Sequence, residues 1–248
     1  MKIPKSHPRY RSLTTREKLV EACGEGILAI QGLIAHGRGE SFDYLLGERT
    51  IPPADIAEEA AAAVLLNSER PVLSVNGNVA VLAGEEVVAL ARAVPCPVEV
   101  NVFHRTEGRL SKIVDHMRQF SDIHILGENA NATIPGLDQP RGLCEQDGIF
   151  TADTVLVALE DGDRTEALVE MGKTVIAIDL NPLCRTSRMA SVTVVDEVMR
   201  AIPRITDHVK TLKTDGNGIQ SIIDAFDNRK NLKNAIQHIC ESLQKLGI

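Results

Sequence analysis

The sequence predicts an α/β fold: a doubly wound, mostly parallel sheet with an N-terminal helical segment and C-terminal helices. Three observations carry this. Short β-branched runs recur at intervals of roughly 20–30 residues, the spacing of βαβ units. The stretches between them place apolar residues at helical spacing. A polar cluster directly follows each run. We expect one domain over residues 1–248, with a helical segment at 1–67, a parallel-sheet core at 68–205 and helices at 206–248.

Thr14-Thr15-Arg16-Glu17 has the form of a capping box, in which a hydroxyl and a carboxylate satisfy each other's free backbone N–H groups. Leu19, Val20, Cys23, Ile27, Ile30, Leu33 and Ile34 follow at helical spacing, and Gly37 or Gly39 would end the helix. Such a helix holds Arg16 and Arg38 roughly 30 Å apart. Both could serve one pocket only if the helix breaks, for example at Gly24, Gly26 or Gly32, or if two subunits share the site. Phe42 to Leu46 reads as a short helix, and Pro52-Pro53 opens an Ala-rich one over Asp55 to Asn67.

Strand and helix then alternate. Strands are expected at Pro71–Val75, Pro97–Val102, Asp122–Leu126, Thr154–Leu159, Thr174–Ile178 and Ser191–Val195. Helices are expected at Val79–Val94, at Thr106–Phe120, after Asp163 and around Ala201-Ile202, with one or two amphipathic helices over Ile219–Leu246. The stretch with Pro135, Pro140 and several glycines reads as irregular.

Composition narrows the function. Of 248 residues 44% are hydrophobic and 25% charged, enough to bury a sizeable core. The net charge of −7, with no Trp, two Tyr and five Phe, argues against nucleic-acid binding, which needs a basic field or stacking platforms. The cysteines at 23, 96, 144, 184 and 240 are odd in number and widely spread, as free thiols in a reducing compartment would be. No apolar run reaches the roughly 20 residues of a spanning helix. A cytoplasmic protein is expected.

In an open α/β sheet the ligand lies beyond the carboxyl ends of the strands. That edge collects Asn76-Gly77-Asn78, His104-Arg105, Glu128-Asn129, Glu160-Asp161-Gly162-Asp163, Asp179-Leu180-Asn181 and Asp196-Glu197. Helix capping accounts for part of this, since Asn and Asp are favoured caps. It does not account for His104 and Arg105, or for Arg185-Thr186-Ser187-Arg188 after the fifth strand. Neither GxGxxG nor GxxxxGK[ST] occurs, so a dinucleotide fingerprint and a P-loop are both unsupported. Asp179 is placed to bind ribose hydroxyls, and Arg185 and Arg188 either face phosphate or form a solvated patch. Asp161-Gly162-Asp163 lacks the rest of a cation loop, which leaves a weak Mg²⁺ site shared with phosphates as its metal reading.

Four segments together resemble one family. They are Lys5-Ser6-His7-Pro8-Arg9-Tyr10; Gly32 through Glu40 (Gly-Leu-Ile-Ala-His-Gly-Arg-Gly-Glu) with Phe42-Asp43-Tyr44; Leu159 through Ala167; and Ile178 through Leu183 with Arg185-Thr186. They are similar to the archaeal phosphopantothenate synthetases, the 4-phosphopantoate–β-alanine ligases of coenzyme A biosynthesis, over about residues 3–205. The resemblance implies a Rossmann-like core, a homodimer, and Mg²⁺ accompanying ATP. It also implies amide synthesis through an acyl-adenylate, with 4-phosphopantoate and β-alanine as substrates. It assigns the nucleotide to Arg16, Arg38, Asp179-Leu180-Asn181, Arg185-Thr186 and Glu197-Val198. At Glu197 other members carry an amide, so backbone contact is the expectation there. Strand-end placement adds Asn76, Gly77, Asn78, His104 and Arg105 as candidates for the phosphorylated acid. Arg38, His104 and Arg105 are the candidates for the chemistry. His36 either orients Arg38, touches phosphate, or ends a helix. A nucleotide-sensing module without catalysis, or a ligase for another hydroxy acid, are the competing readings.

Overall fold

The computed structural model describes residues 3–120, 123–216 and 218–245. The chain opens with helices α1 (Tyr10–Glu25), α2 (Ile30–Leu46) and α3 (Pro52–Asn67). Alternation follows: β1 (Pro71–Val75), α4 (Gly77–Ala93), β2 (Val98–Val100), α5 (Glu107–Arg118) and β3 (Ile125–Leu126). A small antiparallel pair, β4 (Ala132–Thr133) and β5 (Leu143–Cys144), precedes β6 (Thr154–Ala158), α6 (Gly162–Glu170), β7 (Thr174–Ile178), α7 (Arg185–Met189) and β8 (Val192–Val194). Helices α8 (Val198–Asp215), α9 (Ile219–Ala225) and α10 (Asn228–Lys245) close the chain.

The main sheet has the order β3-β2-β1-β6-β7-β8, and every pairing in it is parallel. The chain builds outward from β1, crosses back to pair β6 beside β1, and builds outward again. The doubly wound expectation is met, and the crevice of such a sheet falls where the direction reverses, between β1 and β6. Strands β1, β6 and β8 are buried along their whole length, which fits their near-continuous apolar sequences. One side packs α1, α3, α4, α5 and α8 into the larger core through residues such as Leu73, Leu90, Ile113 and Ile202. The other carries a smaller core around Ile149, Val155, Leu168 and Val175.

The first 46 residues depart most from expectation. The helix begins at Tyr10, so Thr14 is not a cap: its hydroxyl donates to the Tyr10 carbonyl at 2.8 Å. The single long helix is instead two. Gly26, at φ 78°, adopts the left-handed conformation that ends α1, and α2 starts four residues later. Gly37 and Gly39 do not stop α2, which runs through Phe42–Leu46 and ends at Gly47 with φ 84°. Tertiary anchors explain the break. A Cβ on Gly77 would lie 2.9 Å from the Ile27 carbonyl oxygen, and Asn78 Nδ2 donates to the Gly32 carbonyl at 2.9 Å, so the turn is bound to the start of α4. Elsewhere the second strand is shorter than expected, and the stretch read as irregular contains β4 and β5. Asp122 and Leu246, placed in a strand and a helix by sequence, lie outside the described residues.

Candidate functional site

A pocket partly open to solvent lies over the ends of β6, β7 and β8. Its walls come from the first turns of α1 (Arg11, Ser12, Thr15), the inner face of α2 (His36, Gly39, Glu40, Asp43) and the start of α8 (Glu197 to Arg200). Leu159, Asp179, Leu180 and Asp196 supply the strand-end floor. Two lining residues, Glu48 at φ 53° and Leu159 at φ 52°, hold a left-handed backbone that side chains disfavour. Such strain collects at functional sites.

The helical hairpin brings Arg16 against α2. Its Nε and Nη2 donate to Glu40 Oε2 at 3.1 and 2.7 Å, and this pair holds the guanidinium charged. Breaking the helix at Gly26 therefore puts Arg16 within a turn of Arg38 along α2 in one subunit. His36 is pushed toward its neutral form by burial and, less, by the Arg16 charge, against the pull of Glu40.

Arg38 is exposed and makes no hydrogen bond or ion pair among the described residues, yet its charge reaches Asp179. Burial lifts Asp179 above the usual carboxylate range, while the backbone N–H of Asn181, at 2.8 Å, and the Arg38 charge oppose the lift. At the next strand end Glu197 caps α8, its Oε2 accepting from Met199 N at 3.1 Å. Burial pushes Glu197 up to about 7, and its Oε1 is buried without a partner. Arg200 is fixed opposite. It pairs with both Asp43 and Asp196, and although burial opposes its charge those partners keep it protonated.

The remaining assigned residues are not part of the wall of this pocket. Asn181 forms a turn, its Oδ1 accepting from Leu183 N at 2.9 Å. Thr186 donates to the Glu160 carbonyl at 2.8 Å, and Arg185 pairs with Glu166 at 3.3 Å on the surface. Asn76 caps α4 and donates its amide to the Ala158 and Leu159 carbonyls at 2.9 and 3.2 Å, tying the ends of β1 and β6 together. Arg105 Nη2 donates to the Gly127 carbonyl at 2.7 Å, and exposed His104 stacks edge-on against Phe103. Asp161 and Asp163 are turned to Arg141 and Gln139 and form no cation loop.

Sequence reading placed Glu160 at the strand-end edge but missed the buried charge cluster it centres at the β1–β6 crevice. Glu160 is nearly inaccessible and pairs with both Arg141 and Arg164, the latter fully buried. Burial alone would favour a neutral Glu160, but the two guanidinium groups outweigh it and hold the carboxyl ionised. Arg141 also pairs with Asp161 at 2.9 Å and keeps its Nε without a partner. Arg109 lies within electrostatic range of Arg141 and is held by the Ile27 and His104 carbonyls. The Glu160–Arg164 spacing was visible in the sequence as an i, i+4 pair. Arg141 arrives from the Pro- and Gly-rich stretch and carried no signal.

The fold and site define a class: a doubly wound α/β protein with a strand-end pocket lined by arginines and buried carboxyl groups. The comparisons are specific. Residues 53–242 match the family model described as phosphopantothenate/pantothenate synthetase. The chain is 53% identical over 249 residues to "4-phosphopantoate--beta-alanine ligase" of Thermococcus onnurineus, covering 100% of this chain and 95% of that one. Relatives of the same name in Thermococcus kodakarensis and Methanosarcina mazei are 50% and 49% identical, each covering 99% of this chain and 95% and 97% of their own. The chain belongs to the phosphopantothenate/pantothenate synthetase family.

Proposed function

We propose that the protein is an ATP-dependent ligase that joins 4-phosphopantoate to β-alanine, giving 4′-phosphopantothenate, AMP and pyrophosphate. The observation that carries this is full-length identity of about half to relatives bearing that name. The 4-phosphopantoate carboxylate attacks the α-phosphorus of ATP and expels pyrophosphate. The neutral amine of β-alanine then attacks the acyl carbon and expels AMP. Arg16, Arg38, Asp179-Leu180-Asn181, Arg185-Thr186 and Glu197-Val198 hold the nucleotide in this reading, with Asp179 on the ribose and Arg38 toward phosphate. His104, Arg105 and the Asn76-Gly77-Asn78 turn, joined now by Arg109 and Arg141, face the phosphorylated acid.

The pentavalent α-phosphate carries more negative charge than bound ATP, so fixed arginines stabilise it preferentially. Aligning two unlinked substrates with ATP contributes as much as about 7–11 kcal/mol. Mg²⁺ suits the donor chemistry here, since a hard cation takes one carboxylate alongside phosphate oxygens and water. Asp161, half-exposed at the β6 end and paired with Arg141 through one oxygen, would be the carboxylate that holds it. When bound, the ion neutralises charge on the departing phosphates.

We also read the protein as a cytoplasmic homodimer. Among the described residues no helix is long and apolar enough to cross a membrane, and all five cysteines are free. Ile30 and Ile34, one turn apart on α2, and Val20 on α1 are exposed apolar side chains, each at least 60% accessible. Contiguous exposed apolar surface marks interaction sites. Ile30→Asp with Ile34→Asp is expected to shift the species seen by light scattering from dimer to monomer.

Incubation with ATP, Mg²⁺ and 4-phosphopantoate, with and without β-alanine, tests the reaction. β-Alanine-dependent AMP release is expected. Nucleotide binding without AMP would mark a sensing module, and AMP only with a different hydroxy acid would mark another ligase.

A further inference from the structure

Helices α3 and α8 carry a second cluster of chemistry, outside the lining of the strand-end pocket and independent of the reaction proposed above. Asp55 and Glu58 are three residues apart, on one face of α3. Arg204 and His208, four apart on α8, meet them. Arg204 Nε donates to Glu58 Oε2 at 2.7 Å and its Nη2 pairs with Asp55 Oδ1. His208 Nε2 lies 3.3 Å from the same Asp55 oxygen. One ligand atom from each of Asp55, Glu58 and His208 falls within 4.8 Å of the other two.

The informative atom is Glu58 Oε1. The Glu58 side chain is 0% accessible, and this oxygen has no hydrogen-bond partner. Arg204 satisfies only the other oxygen. A carboxylate oxygen buried without a partner is costly, and it is relieved by a donor or a cation. Asp55 and His208, at 48% and 26% accessible, are the solvent-facing members of the cluster.

We infer that Asp55, Glu58 and His208 bind one divalent transition-metal ion, zinc by the chemistry of the set. Imidazole with carboxylates suits zinc, whereas Mg²⁺ and Ca²⁺ take oxygen ligands. Three protein ligands leave a fourth position for water. Arg204 holds Glu58 Oε2 and Asp55 Oδ1 and orients both carboxyl groups, as hydrogen-bonding partners of metal ligands commonly do, leaving Glu58 Oε1 for the ion. The ion cross-links α3 to α8, the helix whose first turn lines the nucleotide pocket. Its role is to brace that helix.

The test is calorimetric titration of the full-length, chelator-treated protein with Zn²⁺, with Mg²⁺ as control, followed by thermal melting. One zinc per chain is expected, with Tm rising by about 5–10 °C at a hundredfold excess over Kd. His208→Gln and Asp55→Asn, both at partly exposed positions, are each expected to weaken zinc binding at least tenfold while still melting cooperatively. Absence of zinc binding in the parent protein overturns the inference. So does undiminished binding in either variant, which would place the ion on the thiols or elsewhere.

Discussion

Arg38 and Glu197 show how single side chains set the candidate site. Arg38 stands in solvent without an ion pair among the described residues, so packing does not require it, while its charge reaches buried Asp179. Arg38→Ala is expected to lower AMP-forming turnover about 100-fold, the usual cost of losing one donor to transition-state charge, with Tm essentially unchanged. Near-normal turnover would make it an ordinary surface arginine. Glu197 is raised to about 7 by burial, so it is neutral below that pH and adds a negative charge to the pocket above it. ATP affinity is therefore expected to fall several-fold between pH 6 and 8.5. Glu197→Gln should flatten that fall, and identical profiles would take Glu197 out of the site. Sequence alone named Arg38, Asp179 and Glu197 because each follows or flanks a strand end or sits in a distinctive string. It missed Arg200, whose partner Asp43 is 157 positions away. Pairing across that distance leaves no local pattern.

At the scale of elements, the α1–α2 hairpin decides which arginines can act together. Apolar periodicity continues smoothly from Leu19 to Ile34, and periodicity by itself does not reveal a reversal. What ends α1 is the left-handed Gly26 together with the close seat of Ile27 on Gly77. Gly26→Ala is expected to cost about 1 kcal/mol, or roughly 2–4 °C of Tm, from forcing a Cβ into that conformation. The same substitution at Gly24, where an added Cβ meets nothing within 4 Å, should be neutral or slightly stabilising, as measured by denaturant melts. The strands were legible because each is a β-branched run bounded by turn residues. The pair β4–β5 was not, because two-residue strands carry too little pattern to separate from loop.

Across the whole molecule, several buried carboxyls act in one direction. Burial raises Glu99 to about 7, Glu197 to about 7 and Glu58 to about 8, from an ordinary value of 4.5. The folded state therefore keeps protons that the unfolded chain releases. Their stabilisation is full below about pH 4.5 and is lost as pH rises through 7 to 8. Glu160, Asp55 and Asp153 lie below the usual range and act oppositely, losing their contribution only in stronger acid. Metal-free protein is expected to be most stable near pH 5 and to lose Tm steadily toward pH 8. Glu99→Gln should reduce that slope, because Glu99 accepts from the Glu145 and Ile149 amides deep inside the fold. We further propose that hairpin, sheet and C-terminal helices unfold as one unit. A single calorimetric transition is expected, and two resolved transitions would divide the chain.

The sequence by itself determined the alternation of strand and helix, the parallel doubly wound sheet, the edge on which polar groups gather, and the family to which the chain belongs. These follow from local propensity, from periodicity and from distinctive strings, all of which are read within short windows. Only the tertiary structure decided that α1 and α2 fold back on each other and set Arg16 against Glu40. It alone placed Arg141 and Arg164 around Glu160 and left Glu58 and Glu197 with partnerless oxygens. Those outcomes depend on burial and on contacts between residues far apart in the chain, and a buried charge is defined by the neighbours that desolvate it.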